Sequence, residues 1–215
     1  MLVAGGTLAA ILGAALCFKM AAANPARETN ISPQVVLSRV TEVGEVLDEL
    51  GGRSVFLVAD ANAYLGSGAE QALHECLANR SVTLFTRFAP NPKLEQVLEG
   101  LKLFQEARPK IVLAVGGGTA IDIAKLINFI AAQPVEPLKA IQAKGEVLPG
   151  KPLIAIPTTA GSGAEATQFA VLYVDGIKRS IEHPHIRPTM AVVDSALTAS
   201  MPGTVAVHSG LDALC

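Results

Sequence analysis

Cysteine and clustered charge are both scarce in this chain of 215 residues. Its three cysteines, Cys17, Cys76 and Cys215, are odd in number, widely spaced and without a Cys-x-x-Cys pair. That excludes a disulfide framework and a zinc-thiolate site and fits a reducing compartment. Against 17 Lys and Arg stand 19 Asp and Glu, a formal charge of -2 with no basic block anywhere. Nucleic acid and anionic membrane surfaces are therefore not expected as partners, because binding to either rests on clustered positive charge. No internal repeat and no low-complexity tract occurs. What is present is apolar: half of the residues are hydrophobic and 17% are charged, a balance unlike that of a disordered chain. The length suits one large domain, or one domain and part of another.

The one long uncharged run is at the amino end. Residues 1–18, MLVAGGTLAAILGAALCF, carry no charge, and Lys19 alone interrupts before Ala21-Ala22-Ala23. Three readings stand side by side for this apolar leader, residues 1–26. As a signal peptide it has an AxA-like stretch but no preceding Lys or Arg. As a membrane anchor it only just reaches the roughly 18 residues needed and is interrupted by Gly and Thr. As a non-native or dispensable start it would leave Met20 as the true first residue, and a cytoplasmic location would follow. The first two readings would mean an organelle-targeted or anchored protein.

From Arg53 onward, short β-branched runs alternate with amphipathic stretches, the pattern of a parallel sheet with crossover helices. Strands are expected at 53–60, 81–88, 109–118 and 152–159, with later ones at 169–175 and 189–194. Helices are expected at 67–80, 93–107 and 119–133, a polar connection at 136–151, and a further helix from 204. The fold class is α/β, a Rossmann-like, mostly parallel sheet with helices on both faces.

Chemistry concentrates where strands meet helices. Gly116-Gly117-Gly118-Thr119 lies between a buried strand and a helix, where bare backbone approaches a phosphate and free helix N–H groups face it. The turn is neither Gly-x-Gly-x-x-Gly nor a P-loop, and glycines there also serve packing alone. Asp122, one turn into the helix, is either a dipole-favouring acid or a polar contact near a ligand. Asp60 ends the first strand, at the sheet edge where open α/β folds bind ligands. An acid there accepts from both ribose hydroxyls of NAD and repels the 2′-phosphate of NADP; its bland alternative is a helix cap. Thr158-Thr159 and Gly161-Ser162-Gly163 bring hydroxyls and close backbone to another strand end, and AGSGAE is not the Gly-x-Ser-x-Gly elbow of a serine hydrolase.

In their order along the chain, VAD ending at Asp60, PNP at 90–92, VGGGTAIDIAK at 115–125, IPTTAGSGAEAT at 156–167, VVDSALTASMP at 192–202 and SGLDAL at 209–214 resemble the iron-containing (group III) alcohol dehydrogenases. The match spans roughly residues 35–215, and IPTTAGSGAE is its most distinctive element. The resemblance implies a Rossmann-like NAD-binding domain over 27–200 and the beginning of an all-helical, metal-binding domain at 201–215. Carried over residue by residue, it makes Asp60, Asn91, Gly117, Gly118, Thr119, Asp122, Thr158, Thr159 and Ser162 the cofactor-binding set. It makes Asp212 the first ligand of a divalent metal, Fe2+ in preference to Zn2+. The histidine that pairs with it in the family would fall at position 216. Neither His208, four residues before Asp212, nor His183-Pro184-His185 occupies a matching place. Departures from the family pattern are Thr119, Ser162, Ser195 and Ser209, and Ser180 after Lys178-Arg179.

The activity so implied is hydride transfer between an alcohol or aldehyde and the nicotinamide of NAD, with no residue here marked as a proton-transfer group. The chain is expected to be a fragment of a protein that is a homo-oligomer at full length. The alternatives are a non-catalytic NAD-binding module, a truncated product, and a glycerol-phosphate dehydrogenase or dehydroquinate synthase-like enzyme of the same superfamily.

Overall fold

The computed structural model describes residues 33–142 and 145–214; the leader at 1–26 lies outside them. Among the described residues eight strands form: β1 (Val35–Leu37), β2 (Ser54–Ala59), β3 (Ser81–Phe85), β4 (Ile111–Gly116), β5 (Leu153–Pro157), β6 (Phe169–Val174), β7 (Ile177–Glu182) and β8 (Met190–Val192). Six of them make one sheet, in the order β1-β8-β5-β4-β2-β3, and every pairing in it is parallel. The middle strands β2, β4 and β5 read SVFLVA, IVLAVG and LIAIP because each is covered on both faces, which suits a continuous apolar run rather than an alternating one.

Two layers of helices supply that cover. Val55, Leu57 and Ala59 of β2 face the layer built by α1 (Val43–Glu49) and α3 (Ala69–Leu77), with Val43, Val46, Leu47 and Leu73. Phe56 and Val58 face the opposite layer, where α4 (Leu94–Ala107) and α5 (Gly118–Ala132) bring Val97, Leu101, Phe104, Ile121 and Ile127. There Phe56 meets Phe104 edge-on, with ring centroids 5.3 Å apart. Helix α5 is buried almost all round, because the sheet lies on one side of it and an antiparallel hairpin of β6 and β7 on the other.

Several boundaries differ from the sequence expectation. The helix expected at 67–80 forms as α3, entered through Gly68, whose φ of +79° is left-handed, and a short helix not anticipated, α2 (Ala61–Gly66), precedes it. The strand expected at 169–175 leaves the parallel sheet and pairs with β7 through Asp175-Gly176, both at positive φ (51° and 76°), the geometry of a tight two-residue hairpin turn. The polar connection contains a single turn, α6 (Pro137–Ala140). Ahead of Arg53, β1 and α1 extend the sheet and one helical layer, neither of them anticipated. The final helix, α7 (Gly203–Leu214), forms where expected and buries none of its residues. No helix among the described residues is long and apolar enough to cross a membrane.

Candidate cofactor site

Chain direction in the sheet reverses beside β2. From β2 the chain goes outward to β3, then returns to β4 on the other side of β2 and continues toward β5. Crossovers diverge at that point and leave a crevice outside the carboxyl ends of β2 and β4. Asp60 follows the first of these strands and the glycine turn follows the second, so topology brings together residues more than fifty positions apart.

The contact is tight. The Asp60 N–H donates to the Val115 carbonyl at 3.1 Å. Gly116 adopts φ +146°, and a Cβ placed on it would lie 2.8 Å from the Ala120 side chain and 3.2 Å from Asp60 Cβ. Both sterics and dihedral therefore require glycine here. The Asp60 carboxylate also caps α2, accepting from the Ala63 N–H at 2.9 Å. Its bland reading as a cap is thus realised at the same strand end that suits a ribose contact.

Gly117 caps α5 without offering a side chain to its first-turn N–H groups. Facing this bare helix end is the loop after β5. The Thr158 N–H donates to the Gly116 carbonyl at 3.0 Å, which carries the β4–β5 ladder one step into the turns. A Cβ on Gly117 would stand 3.1 Å from Thr159 Oγ1, and one on Gly118 3.2 Å from the Ser162 Cβ and Oγ. The glycines and hydroxyls form two walls of one cradle. Thr158 is 4% exposed, and its Oγ1 is buried without a hydrogen-bond partner. An unpaired buried hydroxyl costs about 1–3 kcal/mol, so this atom fits a site that acquires a polar ligand.

Asp122 and Asn91 are placed differently. The Asp122 carboxylate accepts from the Val171 N–H at 3.0 Å and lies 3.8 Å from Lys125 Nζ, so it is engaged with the hairpin. Burial pushes its carboxyl above the usual range, opposed by that N–H and by Lys125. Asn91 is exposed at φ +65°, and the segment it begins receives the hairpin through the Tyr173 N–H, which donates to the Pro92 carbonyl at 2.7 Å.

The sequence reading passed over Lys125 and Gln34. Lys125 is 1% exposed and its Nζ donates to the Phe169 carbonyl at 2.8 Å and to Thr167 Oγ1 at 3.3 Å. Burial lowers its pKa to about 8, opposed by Asp122 and Glu165. The Gln34 amide donates to the Glu165 carbonyl at 2.6 Å. The one sequence signal at Lys125 is that it and Asp122 are the two charges of an otherwise uncharged helix, three residues apart, which does not by itself tell a buried lysine from a solvated one. Nothing in the sequence marks Gln34.

Asp212 lies on the exposed α7. No group of three or more His, Cys, Asp or Glu side chains among the described residues is arranged to hold an ion. His183 Nδ1 instead accepts from the His185 N–H at 3.1 Å as a cap, beside Phe129. Helix α7 does touch the cradle loop: a Cβ on Gly161, at φ +127°, would fall 1.8 Å from the Ser209 carbonyl oxygen.

A parallel sheet with a glycine turn at its switch point defines a Rossmann-like α/β protein. More narrowly, the chain belongs to the iron-containing alcohol dehydrogenase family, whose model matches residues 33–195. It is 33% identical over 190 residues to the NAD-dependent methanol dehydrogenase of Bacillus methanolicus, covering 86% of this chain and 50% of that protein. It is 32% identical over 184 residues to the mitochondrial hydroxyacid-oxoacid transhydrogenase of Xenopus tropicalis, covering 81% and 40%. Among solved structures, 1,3-propanediol oxidoreductase superimposes with a TM-score of 0.77 at 29% identity, covering 87% of this chain and 51% of that one. Sulfoacetaldehyde reductase from Bifidobacterium kashiwanohense, solved in complex with NAD+, superimposes at 0.76 with 27% identity, covering 86% and 51%. The chain thus spans about half the length of these relatives.

Proposed function

We propose that residues 27–200 form the NAD-binding domain of a metal-dependent alcohol dehydrogenase or aldehyde reductase, and that 201–215 open its helical domain. The observation that carries this reading is the cradle itself, in which Asp60, Gly117, Gly118, Thr119, Thr158, Thr159 and Ser162 lie at the ends of three neighbouring strands, with the Thr158 hydroxyl buried and unpaired. Bound NAD would supply the hydride acceptor. The bare first turn of α5 holds the pyrophosphate through backbone N–H groups and the helix dipole. Thr158 and Ser162 donate to the nucleotide, and Asp60 accepts from ribose hydroxyls and disfavours a 2′-phosphate. Asp122 and Asn91 act beside the cradle, where they meet the hairpin and the segment on which it docks.

Metal dependence enters through Asp212, proposed as one ligand of a divalent ion, Fe2+ by family. A single carboxylate does not by itself make a metal site. A second reading, a nucleotide-binding module without catalysis, rests on the cradle alone. Titration of the native protein with NADH and NADPH, followed by alcohol turnover with added Fe2+ or Zn2+, tests both. Preferred binding of NADH with turnover establishes the dehydrogenase, NADH binding without turnover establishes the module, and no NADH binding refutes both.

A further inference from the structure

The loop that forms one wall of the cradle has little to hold it in shape. Between Thr158 and Thr167 it reads TTAGSGAEAT, and Gly161 and Gly163 both sit at positive φ. Inside the loop the local bonds are the Ala166 N–H to the Gly163 carbonyl at 3.0 Å and the Ala164 N–H to Ser162 Oγ at 3.4 Å. Small residues of this kind leave much conformational entropy to be removed. The pins must come from outside. One is the Thr158 N–H on Gly116, and another is Gln34 on the Glu165 carbonyl. The third is Lys125.

Lys125 reaches from α5 to the far end of the loop. Its ammonium spans two acceptors in different residues, Thr167 Oγ1 and the Phe169 carbonyl, while Asp122 next to it takes the Val171 N–H. Burying an ammonium is costly unless it is paired and hydrogen-bonded, and a methionine would fill the same volume within an apolar helix. What a methionine lacks is the reach of three donors across the loop end.

We propose that Lys125 is a positioning residue for the cofactor, its ammonium fixing segment 158–169 in the shape that sets Thr158, Thr159 and Ser162 against the glycine turn. The proposal rests on the reading of the cradle as a nucleotide site, and two independent readouts on the full chain separate it from that reading. Lys125→Met is compared with Asn128→Ala. Asn128 lies three residues farther along the same helix, is equally buried, and holds Lys151 through two hydrogen bonds of 2.8 Å, away from the cradle loop.

Hydrogen exchange without cofactor should speed up about ten-fold over 160–169 in Lys125→Met, with the strands unchanged. Asn128→Ala should loosen 145–151 instead. NADH affinity, read by fluorescence, should fall about ten-fold in Lys125→Met and less than about two-fold in Asn128→Ala at matched loss of Tm. Unchanged exchange over 160–169, exchange raised equally across the sheet, or equal affinity loss in the two variants would overturn the proposal. If the wild-type chain binds no NADH, the cofactor assignment falls, and with it the positioning role, while the exchange result still reports whether Lys125 holds the loop. Should Lys125→Met fail to fold, Asp122→Asn/Lys125→Met removes the partner charge, keeps an acceptor for Val171, and is judged by exchange over 160–169 alone, with unchanged exchange there overturning the proposal.

Discussion

The cradle at the ends of β2, β4 and β5 and the helix α7 beside it are built to different degrees of completion. Around the cradle, backbone ladders run into the turns, glycines sit where a methyl group would collide, and the sheet and the hairpin between them bury most side chains of α5. Helix α7 buries no side chain, although Val205, Val207, Leu211 and Leu214 give it apolar character, and it carries one carboxylate of interest, Asp212. In the proposed reading the described residues complete a place for a nucleotide and supply one donor toward a metal. A cofactor half and a metal half, joined at Gly161 and Ser209, are the two parts of the proposed enzyme.

The sharpest way to break this contrast is at Gly118. Gly118→Val drives a branched side chain into Ser162 and should weaken NADH binding by roughly 100-fold while the far-ultraviolet circular dichroism of the sheet stays unchanged; retained NADH fluorescence enhancement would make the turn structural only. Next is the joint itself. Gly161→Ala places a Cβ against the Ser209 backbone at a φ that favours glycine, so it should cost about 3 kcal/mol and expose α7 to hydrogen exchange ahead of the sheet.

A milder change is Asp60→Ser, which keeps an oxygen to cap α2 but removes the charge. The NADH to NADPH affinity ratio should drop about ten-fold with little loss of Tm, and an unchanged ratio would leave Asp60 as a cap alone. A smaller effect is expected from pH. A buried lysine with its pKa lowered to about 8 has lost its proton in the folded chain while the unfolded chain, at the ordinary 10.5, still holds it. Stability from this group therefore rises between about pH 8 and pH 10.5. The stability gap between wild type and Lys125→Met should widen in favour of the wild type over that window in denaturant titrations. Smallest of all, Asp212→Ala should leave Tm unchanged and NADH affinity within about two-fold of wild type and lower the metal content of the native protein. A cradle weakened by this change would contradict the division into two halves.

Much of the architecture was legible before any coordinates. The runs at 53–60, 109–118 and 152–159 could only be strands covered on both faces, and each was located to within two residues. Less legible were elements whose signal is short. Three residues of β1 carry no periodicity, and the six-residue α2 ahead of Gly68 is too short to show a helical period. The Asp175-Gly176 pair is a hairpin signal that the reading of 169–175 as one more strand of the main sheet passed over. At the site, the glycines and threonines announced themselves by composition. Lys125 did not, since a lysine in a helix is usually solvated, and only packing on both sides of α5 makes this one a pin.

Local chemistry thus determined which segments are strands, where backbone is bare enough for a phosphate, and which family the ordered motifs resemble, because apolar runs and glycine spacing act over a few residues. Which strand ends become neighbours, that Asp60 touches Gly116, that Ser162 faces Gly118 and that a buried ammonium closes the loop were decided by the tertiary structure. Those contacts join residues some forty to sixty positions apart, and nothing short of the assembled parallel sheet brings them within hydrogen-bonding distance.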